Sequence, residues 1–84
     1  MSQETVEQLT ELVLQHARDA LDMPELSEDD NFFEAGGDSI AAVHVIESLR
    51  EASGIEVAMA DFFTAATLGE LGETLAQHEQ PSAR

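Results

Sequence analysis

The chain has 84 residues, enough for one small domain that buries only ~60–65% of its unfolded surface. Eighteen Asp and Glu residues against three Arg and no Lys give a formal net charge of −15, which disfavours nucleic acid and anionic membranes as partners. The absence of Cys excludes disulfides, thiolate metal sites and a cysteine nucleophile. No signal-peptide pattern and no apolar run of bilayer length occurs, so we expect a cytoplasmic protein.

The acidity itself has two interpretations. It can steer the chain toward partners with basic patches, or it can simply keep a small helical domain soluble. Charge alone does not choose between them.

Residues 4–21 predict an amphipathic helix, because apolar side chains recur there at three- and four-residue spacing. Ser2 or Thr5 is expected to cap its start, since Thr5 and Gln8 have the spacing of a capping box. Pro24 predicts that the helix ends just before it.

Residues 23–38 form a long connection for so small a domain, which points to function. A short helical turn is expected near residues 27–30. Phe32 and Phe33 supply half of the aromatic side chains, and at least one of them is predicted to anchor the connection to the core.

Residues 39–52 predict a second helix, with Asp38 as its N-cap and Gly54 just past its end. One apolar stripe suits burial: Ala42, Val45, Ile46 and Leu49. A second stripe lies on another face and is interpreted either as a docking surface for partners or as part of a wide core: Ile40, Val43, His44 and Glu47.

A short helix is expected at residues 59–63, with Phe62 and Phe63 facing inward. The last helix is predicted at residues 67–78, opened by a Thr67–Glu70 capping box. Its two glycines each cost ~1 kcal/mol relative to Ala unless they allow close helix packing. We expect residues 1–79 to form the domain and residues 80–84 a frayed tail.

Ser39 follows Gly36, Gly37 and Asp38 at the predicted start of the second helix. Glycine permits unusual backbone angles there, and Asp38 caps the helix. The serine hydroxyl would thus lie beside unpaired backbone N–H groups and the positive end of the helix dipole, a setting that suits phosphate. Ser39 is therefore a candidate attachment point.

Catalytic and metal-binding interpretations fail on spacing. The Ser39 segment lacks the second glycine of the G-x-S-x-G nucleophile elbow, and His44 on the same helix is poorly placed to reach back to the hydroxyl. The loop residues do not fit the calcium-loop pattern, and His16, His44 and His78 show no ligand spacing. We expect no catalytic residue and no metal.

The segment from Asp30 to Ile40 reads Asp-Asn-Phe-Phe-Glu-Ala-Gly-Gly-Asp-Ser-Ile. It resembles the D-x-F-F-x-x-G-G-x-S-[LI] motif of phosphopantetheine-dependent carrier proteins, especially the peptidyl carrier (thiolation) domains of nonribosomal peptide synthesis. The resemblance covers residues 4–77 and continues in a further set of positions: Leu49-Arg50, Val57, Phe62-Phe63, Thr67-Leu68 and Leu71.

The resemblance implies an all-α four-helix bundle, with three longer helices, a short third helix and a long loop between the first two. It implies that a phosphopantetheinyl transferase attaches 4′-phosphopantetheine from coenzyme A to Ser39, beside Gly37 and Asp38. The arm would hold an acyl or aminoacyl group as a thioester. Expected partners of this non-catalytic monomer are an adenylation or acyl-loading enzyme and downstream condensing or tailoring enzymes.

Two departures leave the branch of the family open. Asp38 replaces a His common in peptidyl carriers, and Asp-Ser is usual in acyl carriers of polyketide and fatty acid synthesis. Ala66 stands where a Pro is common. The start at Met1 favours a free-standing carrier over an excised domain. Two other hypotheses remain: an acidic helical adaptor without a prosthetic group, and regulatory phosphorylation of Ser39.

Overall fold

The computed structural model describes residues 3–79 of the chain, and the side chains of residues 6–77. It contains four helices: α1 (Gln3–Leu21), α2 (Ser39–Ser53), α3 (Met59–Thr64) and α4 (Leu68–Glu79). α1 packs against α2 and α4, and α3 also packs against both of these helices. The predicted all-α bundle, with its short third helix and its long loop before α2, is confirmed.

Within residues 3–79 no β-strand occurs, and no helix is long and apolar enough to cross a membrane. Because α1 begins at Gln3, Thr5 lies inside the helix, and the prediction that it caps the start is wrong. The alternative cap, Ser2, and the predicted tail at residues 80–84 lie outside the described residues.

α1 ends in a Schellman motif. Asp22 adopts a left-handed backbone conformation with φ 55°. The Met23 N–H then donates to the Arg18 carbonyl at 2.9 Å, and the Asp22 N–H donates to the Asp19 carbonyl at 3.4 Å. Pro24 follows at once, so the predicted end of the helix is confirmed.

The core combines one buried stripe from each helix with apolar residues of the connections. From the helices it takes Leu9, Val13, Leu14, Ala17, Ala42, Val45, Leu49, Phe62, Leu68, Leu71, Leu75 and Ala76. The connections add Leu26, Phe32, Ile55 and Val57. Burying a side chain the size of Leu26 contributes about 1.5–3 kcal/mol, so the α1–α2 loop is pinned to the bundle.

Phe63 departs from expectation. Phe62 is buried, as predicted, but the Phe63 side chain is 61% exposed and stacks on Phe33, with ring centroids 5.0 Å apart. Consecutive helical residues point about 100° apart. A six-residue helix on the surface of a small bundle therefore buries one of two adjacent aromatic rings and leaves the other outside.

The start of α4 is tied to the α1–α2 loop through the backbone. The Leu68 N–H donates to the Asp30 carbonyl, and the Gly69 N–H donates to the Glu28 carbonyl, both at 2.9 Å. The first N–H groups of a helix have no partner within the helix. Loop carbonyls supply those partners here, so the loop and α4 hold each other in place.

The predicted capping box is confirmed in one half. The Glu70 N–H donates to Thr67 Oγ1 at 3.1 Å, as expected for a capping threonine. The Glu70 carboxylate, however, accepts from the Ala66 N–H at 3.0 Å rather than from the Thr67 N–H. The reciprocal contact is shifted by one residue.

Gly72 sets how closely α4 approaches α1. It is buried, and a Cβ added there would lie 2.8 Å from the Thr10 Cα and closer still to the Thr10 hydroxyl. The close packing that could offset the low helix propensity of glycine is therefore present at this position.

We predict that Gly72→Ala lowers the free energy of unfolding by about 1–3 kcal/mol, because the added methyl meets α1 backbone that cannot easily move. Urea unfolding followed by circular dichroism measures the change. Gly69→Ala serves as the comparison and should cost less, since the nearest atom to its Cβ is the Glu28 carbonyl oxygen at 3.3 Å. A Gly72→Ala variant as stable as the parent would contradict the packing argument.

Candidate functional site

Asn31 organises the loop that leads to Ser39. Its Oδ1 accepts from the backbone N–H groups of Phe33 and Glu34, both at 2.9 Å. Its Nδ2 donates to the Ala66 carbonyl at 2.9 Å, which reaches the segment just before α4. One side chain therefore closes the local turn and attaches it to the segment that connects α3 to α4.

Phe32 lies beneath the glycine pair. Its ring is 4% exposed and meets the rings of Phe62 and Phe33 edge to face, each at 5.4 Å between centroids. The Gly37 N–H donates to the Phe32 carbonyl at 3.0 Å, and a Cβ on Gly37 would overlap the Phe32 ring. Gly36 has φ 120°, which favours glycine. The pair thus lets the backbone turn tightly over a buried ring.

Asp38 caps α2, as predicted. Its backbone is extended, with φ −129°, and its carboxylate accepts from the Ala41 N–H at 2.9 Å. Its carbonyl accepts from the Ala42 N–H, also at 2.9 Å. The helix therefore begins at Ser39. Gly54, with φ 77°, closes the other end by donating its N–H to the Arg50 carbonyl, which confirms the second cap.

Ser39 is exposed in the first turn of α2. Among the described residues, no protein group hydrogen-bonds its hydroxyl, and none accepts from the N–H groups of Ser39 or Ile40. The first turn itself contains no acidic residue. Unpaired donors and the positive end of the helix dipole favour a negative charge at this place, so the site fits a phosphodiester.

Among residues 6–77, no acid–base pair is hydrogen-bonded to this serine. In the part of the chain with described side chains, neither His44 nor a carboxylate hydrogen-bonds the Ser39 hydroxyl. Nor do the described residues contain a group of three or more His, Asp or Glu that could hold a metal ion.

The second stripe of α2 is on the surface. The Ile40 side chain is 71% exposed and that of Val43 is 41% exposed, and His44 and Glu47 are exposed as well. The first stripe faces the core: Ala42, Val45 and Leu49 are buried, and Ile46 is partly buried. The wide-core alternative for the second stripe is therefore wrong.

Two features of this region were not predicted. The stacked pair of Phe33 and Phe63 lies at the surface, and the adjacency of Phe62 and Phe63 could have indicated it. A groove of about 300 Å³ also runs beside the start of α2, with Ala20 of α1 in its wall. No local sequence signal marks contact between segments so far apart in the chain.

The fold is a small helical bundle with an exposed serine at the start of a helix that suits an anion. This combination fits the class of attachment domains that carry a prosthetic group. The family model for the phosphopantetheine attachment site (PP-binding) matches residues 3–75. The chain belongs to this family. Its cofactor is 4′-phosphopantetheine, as the resemblance predicted.

Curated relatives agree with this assignment. The chain is 37% identical over 65 residues to a dimodular nonribosomal peptide synthase of Bacillus subtilis, covering 77% of this chain and 3% of that protein. It is 39% identical over 64 residues to a probable non-canonical nonribosomal peptide synthetase of Salinispora arenicola, covering 76% of this chain and 1% of that protein. It is 50% identical over 50 residues to nonribosomal peptide synthetase 30 of Fusarium vanettenii, covering 57% of this chain and 1% of that protein.

The chain thus spans a few per cent or less of the length of these relatives. No solved structure gives a significant match. Carrier domains of this family in general hold cargo without catalysing its reactions, and they act through contacts with partner enzymes.

Proposed function

We propose that this chain is a peptidyl carrier protein of nonribosomal peptide synthesis and that Ser39 bears its phosphopantetheine. The observation that carries the proposal is the exposed Ser39 hydroxyl in the first turn of α2, beside N–H groups with no described protein acceptor. The names of the three relatives described above denote nonribosomal peptide synthases or synthetases, which supports peptide cargo over the acyl cargo suggested by Asp38. The proposed carrier unit is residues 1–79, acting as a monomer.

Attachment requires Ser39 to act as a nucleophile toward coenzyme A. Its oxygen forms the new P–O bond, the pyrophosphate linkage of coenzyme A breaks, and adenosine 3′,5′-bisphosphate leaves. The hydroxyl proton passes to a base on the transferase, because no described side chain accepts it here. When bound, the group supplies a thiol that holds cargo as a thioester.

The protein's own contribution to attachment is to position the Ser39 hydroxyl and to stabilise the negative charge of the phosphodiester that forms there. The N–H groups of Ser39 and Ile40 and the dipole of α2 favour the phosphodiester by about 0.3–1 kcal/mol at such an exposed site. The Asp38 carboxylate is turned to the Ala41 N–H, where it fixes the helix start. Its negative charge opposes part of the gain, although water screens this repulsion.

Partner enzymes are proposed to dock on the exposed face of α2 beside Ser39. This face offers two apolar side chains, Ile40 and Val43, flanked by the polar His44 and Glu47. Specific interfaces commonly combine an apolar centre with a polar rim. The strong net negative charge favours partners whose surface around the docking site is basic.

The central prediction concerns Ser39→Ala. Incubation with coenzyme A and a broad-specificity phosphopantetheinyl transferase should add the mass of one arm to the parent protein, and Ser39→Ala should gain none. Intact-mass spectrometry measures both. Ser48→Ala, a second serine on α2, is the matched control and should load like the parent. A parent that gains no mass, or a Ser39→Ala variant that still loads, contradicts the proposal.

Val43→Asp tests the docking face. The substitution places a charge in the apolar centre, and we expect the transferase KM for the carrier to rise about tenfold, equivalent to about 1.4 kcal/mol. Steady-state loading kinetics measure it. Ala52→Asp adds the same charge at an exposed position near the far end of α2 and should leave KM unchanged. An unchanged KM in Val43→Asp, or a loss of its fold, would contradict the docking surface.

A further inference from the structure

A groove of about 300 Å³ runs between the end of α1 and the start of α2. Asp38 and Ile40, the two sequence neighbours of Ser39, both line it. Ala20 of α1 forms the opposite wall, and Ala41 and His44 complete the lining. A group attached to the Ser39 oxygen therefore begins next to this groove.

The lining of this groove suits a mixed apolar and amide chain. Ile40, Ala41 and Ala20 are apolar, and the Ile40 side chain is 71% exposed, so a ligand could cover apolar surface that now faces water. His44, which is exposed, can donate or accept a hydrogen bond at the rim. The groove is open rather than enclosed, which suits reversible contact.

A larger groove of about 660 Å³ between α1 and α4 is unsuited to the same ligand. Six carboxylates line it: Glu7, Glu11, Glu28, Asp29, Glu70 and Glu73. An arm that begins with a phosphodiester carries negative charge, and like charges repel. The larger groove also has no sequence neighbour of Ser39 in its lining.

We propose that the groove beside α2, lined by Ala20, Asp38, Ile40, Ala41 and His44, holds the pantetheine portion of the arm between transfers; it has one carboxylate in its lining, against six in the larger groove. The inference rests on the proposed function, because it requires the arm to be attached at Ser39. The branched methyl groups of the arm would cover the alanines and Ile40. Its amides would remain at the rim, within the reach of water and of His44.

In this arrangement, binding of the arm in the groove and docking of a partner enzyme compete for the same side chain. Ile40 belongs both to the groove and to the proposed docking face, and one side chain cannot be covered by the arm and by a partner in the same way at once. A partner that docks on Ile40 would displace the arm and make its thiol available. A carrier without a partner would keep the arm against α1.

The test compares the unloaded and loaded full chain by NMR, after intact-mass spectrometry has shown that the arm is attached. On loading, the amide signals of Ala20 and His44 should shift more than that of Ala52, which lies near the far end of α2. Cross-relaxation should also connect the arm's methyl protons with the Ala20 methyl group. Shifts confined to residues 38–41, with Ala20 unmoved, would overturn the inference.

Ala20→Gln partly fills the groove without changing charge, and Ala52→Gln is the matched control at another exposed helical alanine. In Ala20→Gln, the loading-induced shift of His44 should be lost while loading itself continues. In Ala52→Gln it should persist. Retention of the His44 shift in Ala20→Gln would contradict the claim that the arm binds in the groove. If the parent chain gains no arm mass, the proposed function fails. If it gains the arm mass but the Ala20 signal does not move, only the inference about the groove fails.

Discussion

The placement of the site depends on the packing of Phe32 beneath Gly37. The buried ring lies against Phe62 on one side, and Gly37 approaches it so closely that no side chain fits there. The next two residues are the cap and first residue of α2. Fixing one ring therefore fixes the end of a long loop and, with it, the direction in which Ser39 faces solvent. Ordering such a loop costs about 1–2 kcal/mol per residue in backbone entropy, so burial of its apolar side chains has to offset that cost.

α2 serves two purposes on opposite faces. Its buried face, with Ala42, Val45 and Leu49, belongs to the core of the bundle, whereas its exposed face leaves Ile40 and Val43 in water. Apolar side chains clustered at the surface mark interaction sites more often than scattered ones do. The proposed functions of this face follow from its position, since an arm attached at Ser39, as we propose, would bring every partner that acts on it to the same helix start. The formal net charge of −15 is compatible with the proposal that those partners carry basic patches around the docking site.

Features fixed by local interactions could be predicted from the sequence. The caps at Asp38 and Gly54 and the buried stripe of α2 depend on residues within one helix, and each was placed correctly. Features fixed by tertiary packing could not. The exposure of Phe63 depends on where α3 sits on the bundle. Backbone hydrogen bonds connect the start of α4 to the α1–α2 loop, and Ala20 of α1 lines the groove beside α2. In both cases the two segments lie far apart in the chain and carry no shared local sequence pattern.

The role of the Phe32–Gly37 contact is tested most directly by the rate of transferase loading, kcat/KM, on Gly37→Ala. The added methyl must displace the Phe32 ring, so we expect kcat/KM to fall about tenfold or more under conditions where the variant is still folded. Gly54→Ala strains the far end of α2, because Gly54 has a left-handed φ of 77°, but its added methyl meets no neighbour within 4 Å, and it should load like the parent. Parent-like loading of folded Gly37→Ala would contradict the claim that this contact positions Ser39.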